Sequence, residues 1–344
     1  MKQQAGFTLV EFMIANVLLI AVMAATFTLM NTVFTANTGI QQVLTTQQNL
    51  RVAMNTITRD ITMAGTGLPD SGTPVPNGTN AKQLQRPAIG LACPSPPGTA
   101  PGCLPTPNNV LAILTPGDGV GPTVANVATD VLTISTIDQT SPNWVTTSIT
   151  SSGTVVNFSP DIRNSPNQMF VKDLLLFNNA NGSAFGCVTA VSTTQSQATF
   201  AANDVLNINQ PTSQYGTIAT ALDNGDMPAT YPPTTVTRVT IITYYIDNTN
   251  TQNPRLMRSV NGNTPQVMVE GIENLQISYD LFDYTNNTET SNQSTTTNPN
   301  QIRSVRVAIN GHSPDKLKRT GDYYHFGLVS KVNVRNATFR NRYS

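Results

Sequence analysis

Charge is scarce in this sequence. Asp, Glu, Lys and Arg make up 11% of the 344 residues, and the 19 basic side chains are balanced by 19 acidic ones. A chain without net positive charge does not hold nucleic acid by bulk attraction to phosphate. Histidine is nearly missing. His312 and His325 are the only two, which leaves little room for imidazole chemistry. Proline is missing from residues 7–64, although the whole chain has 23, so nothing breaks a helix there. Beyond residue 68 no segment has the period of a long helix. Thr, Asn, Ser and Gln are abundant instead, a neutral polar surface that suits a secreted or envelope protein better than a cytosolic one.

Cysteine is limited to three positions. Cys93 and Cys103 bound the Pro/Gly loop "ACPSPPGTAPGCLP". In an oxidising compartment they would close a short disulfide. Zinc is the competing reading, but two thiols without neighbouring His or acid make a poor site. Cys187, in the apolar "SAFGCVTAV", reads as a core thiol rather than a nucleophile.

The sequence is richest in one apolar run, from Phe7 to Met30. As a helix it is long enough to cross a roughly 30 Å hydrocarbon core. Lys2 and the α-amino group precede it, which favours a cytoplasmic N-terminus and an exported remainder. Glu11 sits inside the run, where a charge at the bilayer centre costs about 2.5–3.5 kcal/mol on insertion scales. The plainer reading is a signal peptide with a weak cleavage site at Val22-Met23-Ala24. The very short leader, the apolar run starting right after Gly6, and Glu11 itself argue against it.

Downstream, Ile40, Val43, Leu50, Met54, Ile57, Ile61 and Ala64 recur at helical steps, with polar residues such as Gln41, Gln48, Arg51, Asn55 and Arg59 between them. This is an amphipathic continuation of the same helix. Gly39 weakens it by about 1 kcal/mol relative to Ala, and Gly65-Thr66-Gly67-Leu68-Pro69 stops it. The expected rod is roughly 85 Å long at 1.5 Å per residue, wholly apolar first and one-sided after.

The string "GFTLVEFMIAN" resembles the prepilin processing motif of type IV pilins and pseudopilins. In that family a membrane peptidase cuts after the glycine and methylates the new N-terminal Phe. The resemblance therefore implies cleavage between Gly6 and Phe7, N-methylation of Phe7, and a role for Glu11 in assembly. There it would neutralise the N-terminal amine of a neighbouring subunit, giving a buried charge a partner. In an unassembled chain Glu11 could instead snorkel to the interface. "NLRVAMNTITRDITMAG" at 49–65 is similar to the helix end of PilW-type minor pilins, with Arg59, Asp60, Ala64 and Gly65 at the matching positions. "TDVLTIST" at 129–136, "VKDLLLFNN" at 171–179, "NPRLMRSVNG" at 253–262, "VMVEGIENLQISYD" at 267–280 and "VSKVNVRN" at 329–336 look like strands of the same family. The Cys93–Cys103 loop and the tract "TNNTETSNQSTTTNPN" depart from it.

Read without the family, the body still points to sheet. "TVTRVTIITYYID" alternates and is rich in Thr, Val, Ile and Tyr. "NVLAIL", "DLLLF", "IRSVRVAI" and "FGLVSKVNV" are further short runs bounded by turn residues. Residues 68–107 are expected to make an excursion over the surface, and 285–300 a mobile loop between strands.

Sites of chemistry are thin. "PGDGVGP" lacks the Lys-Ser/Thr and helix of a phosphate loop and reads as a turn. Asp247, Glu270, Asp280 and Asp283 could converge on a cation but lack EF-hand spacing, and solvated strand ends are the plainer account. His312 and His325 flank Lys316, Lys318 and Arg319, which could contact DNA or another anionic polymer, but a solvated loop is the plainer account. Nothing supports Ser-His-Asp catalysis.

The expectation is therefore an α+β, pilin-like protein. Residues 1–6 form a prepilin leader. Residues 7–67 form the N-terminal helix, membrane-spanning over 7–34, and 68–344 form a periplasmic β-rich head, packed as an antiparallel sheet on the helix. No enzyme activity, cofactor, metal or nucleic acid is expected. The resemblance implies a minor type IV pilin that helps prime pilus assembly, with the tip as one position open to it. Its partners would be prepilin peptidase, other minor pilins, the major pilin and the inner membrane. Open alternatives are a J-class minor pseudopilin of type II secretion, a tip adhesin recognising through the Cys93–Cys103 loop and residues 285–300, and, more distantly, an anchored periplasmic enzyme.

Overall fold

The computed structural model describes residues 8–69, 72–78, 80–87, 89–93, 100–225 and 230–339. One helix, α1 (Leu9–Met63), runs unbroken for 55 residues, about 80 Å. No proline or charge cluster interrupts it, and its stop is built from glycine. Gly65 and Gly67 take φ of 71° and 70°, left-handed values that cost a Cβ-bearing residue. At Gly65 a Cβ would also come within 2.8 Å of Ile113. Its N–H instead bonds Ser135 O at 2.8 Å, turning the chain into the head.

The head is antiparallel sheet with two short helices, α2 (Ile218–Leu222) and α3 (Arg335–Phe339). Among the described residues the larger sheet has eleven strands, organised around β1 (Thr235–Asp247). The second half of β1 pairs with β2 (Arg255–Val260) on one edge and Leu132–Ile137 on the other. Its first half pairs with Leu174–Asn178 and, through two residues, with Trp144–Ile149. Neighbours on both edges explain why β1 is apolar along most of its length.

A second sheet follows, of β3 (Ile272–Asp283), β4 (Thr288–Gln293), β5 (Ile302–His312) and β6 (His325–Asn333). Its order is β4-β3-β5-β6, all antiparallel. The distal half of α1 lies on it. Leu50, Ala53, Met54, Ile57 and Ile61 join Leu275, Val305, Val307, Ile309 and Val332 in one core that continues into the larger sheet. Each fully buried aliphatic side chain contributes about 1.5–3 kcal/mol. A separate core around Trp144, Phe158, Phe177 and Phe200 holds the far side of the larger sheet and does not include the helix.

The structure corrects three expectations. Thr288–Gln293 is strand β4, on the edge of the second sheet, rather than part of a mobile loop. Main-chain pairing with β3 orders a segment whose side chains have nothing apolar to bury. The 68–107 segment is not a surface excursion throughout, because Val75, Leu84 and Leu104 are buried in the main core. Its prolines space apolar plugs rather than excluding them. The predicted helix stripe is packed only from Thr46 onward. Ile40 is 57% exposed and Val43 half-buried, since at that level the head meets the rod on its Gly39 side, through Leu317, and leaves them uncovered or only partly covered.

Candidate functional site

The chain has a bare apolar rod joined to a folded head. From Leu9 to Leu44 the large apolar side chains of α1 stand free, Phe27 73% and Leu44 51% exposed. The most apolar window of the helix has a mean hydropathy of 2.2, with none of it buried. This one N-terminal helix is long and apolar enough to be a single membrane span. Its threonine side chains turn back on the helix. Thr28 donates to Ala24 O, Thr32 to Thr28 O and Thr35 to Asn31 O, at 2.8–2.9 Å, so no hydroxyl needs an outside partner.

Glu11 also has a local partner. Thr8 caps α1, its Oγ1 accepting from Glu11 N–H at 3.3 Å. Glu11 Oε2 accepts in return from Thr8 N–H at 2.9 Å and Thr8 Oγ1 at 3.0 Å. This is a capping box, satisfying helix-end donors on both sides. The signal for it, Thr-x-x-Glu ahead of an apolar run, is in the sequence and was missed beside the membrane argument. Gly6 and Phe7, the residues of the implied cleavage and methylation, lie outside the described residues.

Where rod meets head, polar groups pin the helix. Asp60 Oδ2 accepts from Tyr244 Oη at 2.5 Å and from Arg258 Nε and Nη2 at 3.2 and 3.1 Å. Burial, then Asp60, push the Tyr244 hydroxyl far above its ordinary pKa. For Arg258 burial opposes the charge, but Tyr244 and Asp60 outweigh it and raise its pKa. At the ends of the packed half, Gln47 Nε2 donates to Tyr324 Oη at 2.9 Å. Asn336 Nδ2 donates to Ala64 O and Thr66 Oγ1, both at 2.8 Å.

The remaining candidates are placed as follows. Cys93 and Cys103 are joined as a disulfide with Cα atoms 4.8 Å apart. Cys187 is a free, buried thiol, its pKa pushed well up first by burial and then by Asp204. The four acids are dispersed. Asp247 pairs with Arg255, Asp280 with Lys331, Asp283 takes Asn286 Nδ2, and Glu270 takes Asn253 Nδ2. No group of three or more His, Cys, Asp or Glu able to hold a metal occurs among the described residues. His312 is buried with Nδ1 2.6 Å from Ser313 O, and His325 is 3.0 Å from Glu273.

The two segments singled out as peculiar to this chain meet. Lys82, Arg86, Pro101 and Cys103 on one side and Thr296 and Pro299 on the other line an open groove of about 640 Å³. Arg86 is buried there and bonds only neutral oxygens, of Pro101, Pro116 and Thr133. Desolvation pushes its pKa down to about 10.

Residues 243–344 match the family model PilW, described as Type IV Pilus-assembly protein W. The match supports a protein related to the type IV pilus. It covers the whole second sheet and both head-side members of the Asp60 network, the platform on which α1 lies. No curated protein and no solved structure matches the chain.

Proposed function

We propose that the chain is a minor type IV pilin of PilW type, which helps prime assembly of the pilus. The observation that carries this reading is the attachment of a fully exposed apolar rod to a head whose helix platform matches a pilus-assembly family. The rod is anchored in the inner membrane with its N-terminus cytoplasmic and its head periplasmic. Prepilin peptidase cuts between Gly6 and Phe7 and methylates Phe7. The rod then exchanges lipid for the helices of other minor pilins and of the major pilin, with close packing replacing acyl-chain contact. Glu11, held by Thr8 in the free chain, is released to the N-terminal amine of a neighbouring subunit. The process needs no catalytic residue, metal or cofactor from this chain.

Intact mass and N-terminal sequencing of the membrane-extracted protein test it, with and without prepilin peptidase. A chain beginning at N-methylated Phe7, found only with the peptidase, is expected. A start near Ala25, or an uncut Met1 in both, would remove the pilin reading.

One observation favours a second role at the same position, that of a tip adhesin. The disulfide loop and the 295–299 segment converge on the groove, as recognition surfaces would. Thr296→Arg, which fills the groove from an exposed wall, should leave piliation intact and reduce surface attachment. Unchanged attachment would discard this role.

A further inference from the structure

The helix that leaves the membrane in this reading carries no Lys, Arg, Asp or Glu between Glu11 and Arg51. Spanning helices are held at depth by Lys, Arg, Trp and Tyr side chains in the headgroup zone, and this one carries none of these between Glu11 and Arg51. Another part of the fold supplies them. The loop 313–324 between β5 and β6 reaches along the rod as far as Gly39, with Leu317 Cδ2 3.8 Å from where a Gly39 Cβ would stand. Gly39 lies five residues beyond Phe34, about 8 Å along the axis. From Leu9 to Phe34 the helix measures about 39 Å, longer than a roughly 30 Å hydrocarbon core, so its last turns already stand among headgroups.

The loop is held in shape. Ser313 N–H bonds Tyr324 O at 2.8 Å, Leu317 N–H bonds Asp322 O at 2.9 Å, and Gly321 N–H bonds Leu317 O at 2.8 Å. Tyr324 is tied to Gln47 of the helix. Three of the chain's 19 basic residues, Lys316, Lys318 and Arg319, sit on this turn, all exposed. None is within ion-pair distance of an acid among the described residues. Lys316 lies 5.6 Å over the Tyr323 ring, and Asp315 and Asp322 flank the turn. Lys318 and Arg319, at its tip, lack even an aromatic partner among the described residues. A headgroup surface within about 8–10 Å, the Debye length at physiological salt, would feel them.

We propose that the 313–324 loop is a headgroup clamp. Lys318 and Arg319, with Lys316 and Tyr323 behind them, bind the phosphates of anionic phospholipids around the emerging helix and hold the head of the unassembled chain against the bilayer. The clamp rests on reading residues 9–34 as a span, and it must release when the rod enters an assembly.

The test uses the full chain, with a fluorophore on Thr320→Cys, reconstituted into vesicles of phosphatidylcholine alone or mixed with phosphatidylglycerol. Lipids with a headgroup quencher report the distance of the loop from the surface. The chain should float with both vesicles, and quenching should rise with phosphatidylglycerol. It should fall in high salt and in Lys318→Gln and Arg319→Gln, by about fivefold in the docked population per charge removed. Flotation with quenching unaffected by phosphatidylglycerol or by either substitution would overturn the clamp and leave the span intact. Failure to float would overturn the span and the clamp with it. Quenching abolished equally by duplex DNA and insensitive to lipid charge would assign the turn to a polyanion instead.

Discussion

Asp60 gathers three hydrogen bonds on one oxygen from partners 184 and 198 residues away in sequence. Its side chain is only 15% exposed, so neutralising it leaves Arg258 and Tyr244 facing a poorer acceptor with little water to replace it. Asp60→Asn should lower unfolding stability by about 2 kcal/mol, read as a lower denaturant midpoint at unchanged slope. No change would mean the network is only geometric. Asp280 makes a pH-dependent contribution. Lys331, first, then hydrogen bonds from Ser304 and the Asn292 N–H, hold its pKa at about 2. A carboxylate with a folded pKa below its unfolded value of about 3.9 stabilises the fold above that value and loses the contribution as pH falls toward 2. The thermal midpoint should drop between about pH 4 and 2, and Asp280→Asn should flatten that drop. Identical profiles would place the acid sensitivity elsewhere.

At the scale of the element, α1 is two helices by environment and one by geometry. Leu50 is 1% exposed and Ile40 57%, yet both belong to one regular stripe. Leu50→Ala should cost about 3 kcal/mol. Leu44→Ala should leave the head within about 0.5 kcal/mol and weaken only association with partner helices, measured by co-purification. The existence, length and stop of this helix were legible, because the absence of proline, the apolar period and the Gly65–Gly67 pair all act locally. The point where packing begins was not. It depends on where β5 ends beside Thr46, at His312, 266 residues away, and Ile40 carries no mark that separates it from Ile57. For the same reason β4 was read as loop: its order comes from the edge of β3, and "TETSNQ" has no apolar face. Of the site, the Thr8–Glu11 box could be read from spacing alone, whereas the Asp60 network joins residues that no local pattern relates.

At the scale of the whole molecule, the described residues of the head rest on two large cores and a small third one around Val131, Tyr245 and Met257, with a single disulfide tying down the segment that walls the groove. The bridge closes a sequence separation of 10, for which loss of chain entropy in the unfolded state predicts about 2–3 kcal/mol. Reduction should lower the unfolding midpoint accordingly while the α1 contacts stay protected from hydrogen exchange. Cys187 should remain unalkylated until the head unfolds. Loss of protection along α1 on reduction would show that the loop braces the helix as well.

The seat of α1 is made largely from β5 and β6, residues 302–333, and the helix end is closed by Asn336. An early element therefore waits for strands synthesised about 250 residues after it. Until the C-terminal strands are available, the stripe from Leu50 to Ile61 has no cover, and its contacts are among the longest-range in the chain, the kind that form slowly. Truncation before β6 should thus leave a protein that inserts its rod normally but presents a second, greasy helix face to protease and chaperone. Emergence of β5 and β6 becomes the step that makes the head competent to leave quality control.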